Sequence, residues 1–239
     1  DKYSYQQEYA RTLITSLRFL NDSKPIRNFC ISSSIPSEGK SVSSIIISKT
    51  LVELGNRVLL IDADLRKSTL HKKLGIDNIT GLSNILTETD KRSWREIMSP
   101  IKDYEDWKVI TAGSRTPDPN RILASKRFED FKEQIIDSNL FDFIIFDTPP
   151  ILDLSDASLI QKKLDGLLLI VSLNNVDRDL PLEVINQNQL RQGNILGIVS
   201  NMVKKPKVIN ESKYGYGYGY GYGYGYGYGY GYGYGYGKE

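Results

Sequence analysis

Residues 58–68 read VLLIDADLRKS and residues 34–41 read SIPSEGKS; together these two stretches decide the fold. The apolar run from Val58 to Ile61 stops at Asp62, and Asp64 and Arg66 follow at once. A carboxylate at the end of such a run is what a buried parallel strand presents to a ligand at its carboxyl edge. In the earlier stretch, Ser34 is followed by Gly39, Lys40 and Ser41 at phosphate-loop spacing, with Ser in the place of the usual first Gly. Phosphate binding needs converging backbone N–H groups, a Lys for the terminal phosphates and a hydroxyl for magnesium. Gly39 permits close backbone approach, Lys40 supplies charge and Ser41 the hydroxyl. Ser37, Glu38 and Val42 complete the candidate phosphate-binding stretch.

The flanks support this reading over a Ser-rich turn with an incidental GKS. Residues 29–31 (FCI) read as a short buried strand, and residues 42–54 as a helix whose N-terminus faces the anion. Residues 143–150 (FIIFDTPP) form a third apolar run ending in a carboxylate, Asp147. Such an Asp alone is as often the cap of the next helix. In company with the other two motifs it reads as the carboxylate that holds magnesium through water or orients the attacking group. Lys40, Asp62, Asp64 and Asp147 are therefore the catalytic candidates, and Ser41, Asp62, Asp64 and Asp147 the candidates around a magnesium ion accompanying ATP. None of these motifs belongs to the eukaryotic protein kinases.

Outward from the motifs, strand and helix alternate. Strands are expected at 28–32, 57–61, 107–111, 143–146, 166–171 and 195–200. A helix is expected over 6–21, with Leu13, Leu17 and Leu20 at helical spacing. Nearly continuous apolar strands suit a parallel sheet covered on both faces, hence a doubly wound α/β domain. Residues 77–106 are less regular and are expected to pack as short helices beside the sheet, anchored by Trp94. Cys30 reads as a small core residue, and Tyr3, Tyr5, Tyr9 and Tyr104 as structural. His71, the only histidine, reads as a surface or helix residue rather than a ligand or base.

The chain has 239 residues, enough for one domain with an appendage. Its net charge is +2, from 31 basic and 29 acidic residues, so no strong field for nucleic acid or membrane is implied. The single cysteine excludes an internal disulfide and disfavours a structural cysteine zinc site or an iron–sulfur cluster. No apolar run approaches a membrane span, no signal peptide is visible, and the first residue is Asp1 rather than Met. The expectation is a cytoplasmic piece of something longer, or a trimmed chain.

Residues 214–237 are Tyr-Gly repeated twelve times. Alternate glycines weaken a strand, so a disordered low-complexity tail is expected over 211–239. It reads as an adhesive segment, as an incidental flexible end or as a phosphate acceptor. About 27 Gly-rich residues span roughly 30 Å on average and at most about 90 Å, enough to enter a neighbouring subunit's site. Lys204, Lys205 and Lys207 precede it as a small basic cluster.

The segments SIPSEGKS, LLIDADLR and FIIFDTPP, in this order, resemble the bacterial tyrosine kinases. EYARTL (8–13), LDLSDA (152–157), LDGLLLIV (164–171) and ILGIVSNMV (195–203) match too, so the resemblance covers roughly residues 1–210. It implies a phosphate-loop NTPase fold of the MinD/ParA-like branch over 1–210, with residues 1–22 as an N-terminal helix for oligomerisation. It implies a protein-tyrosine autokinase that uses ATP and magnesium and regulates exopolysaccharide or capsule synthesis and export. The implied acceptors are the tail tyrosines Tyr214, Tyr216, Tyr218, Tyr220, Tyr222, Tyr224, Tyr226, Tyr228, Tyr230, Tyr232, Tyr234 and Tyr236. By the same resemblance, Asp64 and Asp147 organise metal and water, and Asp62 accepts the tyrosine proton or orients the nucleophile. Arg66 steadies the loop or meets a phosphate, and Asn201 contacts adenine, a simple turn role being the alternative. The implied partners are neighbouring subunits in a ring, a transmembrane polysaccharide co-polymerase segment in cis or trans, and a tyrosine phosphatase, with no nucleic acid. The implied place is the inner face of the plasma membrane.

The family closes its ring with a Glu-x-x-Arg-x-x-Arg pattern. Glu8 and Arg11 match it, but Ile14 stands at the second Arg, with Arg18 as a nearby substitute. Two other readings differ in class: a MinD/ParA-like switch ATPase, and a non-catalytic ATP-binding scaffold for an adhesive tail. The switch ATPases usually carry a Lys early in the loop, where this chain has Ile35, and lack a tyrosine-rich tail.

Overall fold

The computed structural model describes residues 2–20, 25–87, 92–152, 154–162, 164–173, 176–190 and 193–203; the tail and the three lysines before it lie outside the described residues. Six strands run parallel: β1 (Asn28–Ser33), β2 (Val58–Asp62), β4 (Tyr104–Ile110), β5 (Phe143–Asp147), β6 (Gly166–Ser172) and β7 (Ile195–Asn201). These are the six expected from the apolar runs. A further strand, β3 (Ser99–Ile101), pairs antiparallel with β4 at the sheet edge. The order across the sheet is β3-β4-β2-β5-β1-β6-β7. β5 thus returns to the slot between β1 and β2, which brings the ends of all three motif-bearing strands side by side.

The period of two along each strand divides the core between the two faces. Phe29, Ile31, Val58, Leu60, Phe143, Ile145, Leu168 and Ile170 point to one face. There they meet α1 (Lys2–Phe19) and α2 (Lys40–Glu53) through Ile14, Leu17, Ile47 and Leu51. α3 (Leu70–Leu74) closes the same face with Leu70. Cys30, Leu59, Ile61, Ile144, Phe146, Leu167 and Leu169 point to the other face. That face is covered by α4 (Leu82–Leu86), α5 (Pro119–Leu123), α6 (Lys126–Asp137), α7 (Asp156–Gln161) and α8 (Asp179–Leu190), whose contacts include Phe128, Phe131, Ile160 and Val184. Cys30 is fully buried, and burial pushes its thiol up to about 12, as fits a core residue.

Three expectations change. Residues 77–106 are not all short helices, because they also hold β3, which forms a hairpin with β4. β3 has three residues including Pro100, which cannot donate to a ladder and suits only an edge. Trp94 is the buried anchor expected of it. Tyr104 is structural, packed edge-to-face on Trp107 with ring centroids 5.7 Å apart, but Tyr9 is exposed on α1. The buried stripe of α1 is Ala10, Ile14 and Leu17, whereas Leu20 lies exposed beyond the helix end.

Ile14, at the place of the pattern's second Arg, is only 2% exposed and packs from α1 onto the sheet. Glu8 and Arg11 lie exposed on the helix, and Arg18 reaches Asn56 at 3.5 Å. Ile14→Ala should lower the unfolding free energy by about 2–4 kcal/mol in urea titration. A loss below about 0.5 kcal/mol, the size of an ordinary surface substitution, would contradict the packing role.

Candidate active site

The phosphate loop leaves β1 and enters α2 through two residues with positive φ, Ser37 (φ 70°) and Gly39 (φ 92°). Gly39 caps α2 in the left-handed conformation with no side-chain cap, so the first-turn N–H groups stay open to an anion. A Cβ at Gly39 would also collide with the Asn201 amide nitrogen. Asn201 Nδ2 donates to the Glu38 carbonyl at 2.8 Å, tying the end of β7 to the loop. Neither the turn role nor the adenine role expected of Asn201 includes this tie.

Glu38 lies in the loop, but its side chain faces away from the phosphate position. Its carboxylate is buried and accepts from the backbone N–H of Ile35 (2.8 Å) and of Ser172 (3.0 Å). An anion pointing into a phosphate cradle would repel its ligand; here it ties the start of the loop to the end of β6 instead. Ser37, Gly39, Lys40, Ser41 and Val42, with Asp64 and Arg66 opposite, line a cavity of about 500 Å³.

Beneath that cavity the carboxylates converge by register. Asp62 and Asp147 are paired neighbours at the ends of β2 and β5, and the period of two turns both toward α2. Lys40 Nζ, on the first turn of α2, donates to Asp64 Oδ2 at 2.9 Å. Burial by itself lowers the Lys40 pKa, but the charges of Asp147, Asp64 and Asp62 outweigh burial and raise it, so Lys40 stays charged. Ser44, one turn further along α2, donates to Asp147 Oδ1 at 2.9 Å. Asp147 Oδ2 is buried with no hydrogen-bond partner among the described residues. Burial raises the Asp147 pKa against the Lys40 charge and the Ser41 and Ser44 hydroxyls.

Asp62 is fully buried and accepts from Ser68 Oγ (2.8 Å), the Leu70 N–H (3.3 Å) and the Asp64 N–H (3.2 Å). Ser68 Oγ also lies 3.0 Å from His71 Nδ1, so the lone histidine is a helix residue that touches the site at second remove. Asp62 is pushed up to about 7, by burial first and by the Asp147 charge second. Among the described residues, no group of three or more His, Cys, Asp or Glu side chains is arranged to hold a metal ion. A phosphate-bound magnesium does not need one, since it keeps waters and takes one or two protein oxygens. The orphaned Asp147 Oδ2 and the Ser41 hydroxyl fit that need.

Arg66 lines the cavity, but its fork is engaged elsewhere. Nε and Nη2 bind the two oxygens of Asp156 at 2.8 and 3.1 Å, and Asp156 is fully buried at the start of α7. Asn120 also donates to Asp156 and to Ser155. Arg66 thus links the loop after β2 to the start of α7. The sequence reading missed Asp156, Ser44 and Ser68. Ser44 alone had a signal, lying four residues after Lys40 on one helix face.

Fold and site together define a phosphate-loop nucleotide-binding α/β domain. A family model described as an AAA domain matches residues 30–175. The tyrosine-protein kinase YwqD of Bacillus subtilis (strain 168) is 31% identical over 212 residues, 89% of this chain and 86% of that protein. The tyrosine-protein kinase CpsD of Streptococcus pneumoniae serotype 4 is 32% identical, over 87% of this chain and 88% of that one. The kinase domain of Escherichia coli tyrosine kinase ETK superposes with a TM-score of 0.77 at 28% identity, covering 89% of this chain and 80% of that domain. The MinC:MinD complex of Aquifex aeolicus shares the fold, with a TM-score of 0.63 at 19% identity over 74% of this chain and 69% of that one. The chain belongs to the bacterial tyrosine-protein kinases, ATP-dependent phosphotransferases that act on tyrosine.

The raised Asp62 pKa sets a pH dependence. Between the usual carboxylate value and about 7, the folded state binds more protons than the unfolded state, so stability falls as pH rises through that window. Thermal melts of nucleotide-free protein should therefore lose Tm between about pH 4.5 and about pH 7.5, and Asp62→Asn should flatten that slope. An identical slope in both proteins would contradict the assignment.

Proposed function

We propose that this kinase transfers the γ-phosphoryl of ATP to tyrosines of the Tyr-Gly tail, its own or a neighbouring subunit's. The observation that carries the reading is the partly buried Lys40 beside three carboxylates at a phosphate-loop mouth, in a chain that ends in twelve regularly spaced phenols. Ser37 to Val42 hold the phosphates through backbone N–H groups, and Lys40 exchanges Asp64 for the β and γ phosphates as ATP enters. Ser41 and Asp147 are the residues that would hold magnesium, with Asp64 nearby; the ion would supply charge neutralisation at the terminal phosphates.

Asp62 accepts the phenolic proton as the tyrosine oxygen bonds to the γ-phosphorus. The bond between that phosphorus and its bridging oxygen breaks, and ADP leaves with the electron pair. A carboxylate pushed up to about 7 suits a proton acceptor working near neutral pH. Asn201 holds the loop at the adenine side, and Arg66 holds the loop after β2. In a loose transition state this work is positioning and charge stabilisation.

The division of the chain follows: residues 1–210 form the kinase domain, 1–22 its assembly element and 211–239 the autophosphorylation cluster. Exposed Glu8 and Arg11 support contact with a neighbouring copy in a ring. Among the described residues no helix is long and apolar enough to cross a membrane, so attachment to the membrane's inner face would come through a co-polymerase segment in cis or trans. A tyrosine phosphatase resets the tail, and the cycle regulates exopolysaccharide or capsule synthesis. Twelve phosphotyrosines bring roughly −18 to −24 charges, which overturns the net +2 and loosens the ring by repulsion. Equal subunit association of phosphorylated and unphosphorylated protein, at low and moderate salt, would remove the repulsion argument.

Intact mass before and after incubation with ATP and magnesium tests the reading. A ladder of phosphate additions mapping to Tyr214–Tyr236, absent from Lys40→Met, is expected. ATP hydrolysis without additions would instead fit a switch ATPase.

A further inference from the structure

Two walls of the cavity extend past the loop residues and differ in chemistry. One comes from the β5–α7 connection and is apolar: Pro149, Pro150 and Leu154. The other comes from the loop after β2 and from α3, and is cationic: Lys67 and Lys73, beside Arg66. Asp64, bonded to Lys40 of the phosphate loop, lines the same cavity.

The apolar wall is rigid. Thr148 donates to the Ile31 carbonyl through its N–H (3.0 Å) and its hydroxyl (2.9 Å). Ser32 Oγ donates to the Pro149 carbonyl at 2.7 Å, and the Ile151 N–H donates to the Ser33 carbonyl at 2.9 Å. Both prolines are thus clipped to β1, with φ fixed and no N–H to satisfy. They are buried, whereas Leu154 is half-buried and offers the open apolar surface.

Such a wall is out of place for a triphosphate, which needs N–H groups and cations. It suits an acceptor side chain with an apolar body and a polar tip. In residues 214–237 the only side chain is tyrosine, since glycine has none. Any side-chain recognition of the repeat must therefore recognise a phenol ring. Glycine on either side lets the backbone approach the wall closely. Lys67 and Lys73, on the same cavity, bring positive charge to a site where the neutral phenol becomes a negatively charged phosphate ester.

We propose that Leu154, with Pro149 and Pro150, forms the acceptor subsite of this kinase: a shelf for the tyrosine ring of a Tyr-Gly segment from a second copy of the chain. Leu154 is its specificity-determining residue, and Lys67 and Lys73 form the facing wall for the phosphorylated tip. This rests on the tyrosine-acceptor reading of the site, and it adds that selection is for the ring and not for surrounding sequence.

The test uses the full chain loaded with magnesium and a non-hydrolysable ATP analogue, and a fluorescently labelled (Tyr-Gly)4 peptide followed by anisotropy. Leu154→Ser should raise the peptide Kd about tenfold, as loss of an apolar contact does, and Leu154→Met should stay near wild type. A (Ser-Gly)4 peptide should not bind. Analogue affinity, measured on each variant, reports whether the fold is intact. Equal peptide binding by wild type and Leu154→Ser overturns the shelf, as does equal binding of the serine peptide. Failure of the tyrosine peptide to bind wild type also overturns it, since the shelf would then be closed to a second chain. Phosphate transfer from ATP to the peptide is scored separately on wild type. Binding without transfer would sink the acceptor chemistry and leave the shelf; transfer with Leu154-independent binding would sink the shelf alone.

Discussion

The structure turns on the placing of one lysine among three aspartates. Lys40 and Asp64 form an ion pair of 2.9 Å with side chains only 13% and 5% exposed, and Asp62 and Asp147 are buried beside it. A buried ion pair is a weak source of stability, because desolvation offsets much of the attraction, but removing one partner is costly. Here the excess of carboxylate over lysine leaves net negative charge in a buried pocket. The protein relieves it by hydrogen bonding, as at Asp62, and by raising carboxylate pKa values. What remains is an unpartnered oxygen on Asp147 and a charged lysine held by a partner it can exchange. Both are what a metal-bound polyphosphate would satisfy.

The sheet order makes this cluster possible. Had β5 added at an edge, Asp147 would lie strands away from the phosphate loop. In its slot between β1 and β2, its last residue pairs with Asp62 and its side chain meets Ser44 of α2. The supporting contacts all serve to hold loops against this frame. Glu38 clasps the phosphate loop to β6, Asn201 ties it to β7, and Asp156 anchors the loop after β2 through Arg66. The site's loops are held by the chain's own residues, which is the condition for electrostatic stabilisation at little reorganisation cost.

Much of this was legible in the sequence, and for definite reasons. The parallel strands are mostly apolar runs, β4 with Glu105, Asp106 and Lys108 being the mixed one, and three end in carboxylate or phosphate-loop signals, so strands and candidate site both left a local trace. β3 did not, being three residues with a proline at an edge. Of the stripe expected on α1 from its leucines, Leu17 is buried and Leu13 packs half-buried against the core, but Leu20 is exposed and Ala10 and Ile14 complete the face. The buried positions are Ala10, Ile14 and Leu17. Residues that act through long-range partners left no local trace. Asp156 meets Arg66 across 90 positions, and the Glu38 carboxylate bridges to Ser172 across 134. Spacing rules reach about one turn of helix and could not see such pairs.

Of the two routes proposed for the tail, its own or a neighbour's, we favour transfer from the Lys40 site of one chain to the tail tyrosines of another, and a complementation assay separates the two. A Lys40→Met chain with its tail intact is mixed with a chain that keeps Lys40 but carries Phe at all twelve tail tyrosines. With ATP and magnesium, phosphate should appear on the tail of the Lys40→Met chain, and neither chain should be labelled alone. No phosphate in the mixture, when unaltered protein labels its own tail under the same conditions, would contradict transfer between chains.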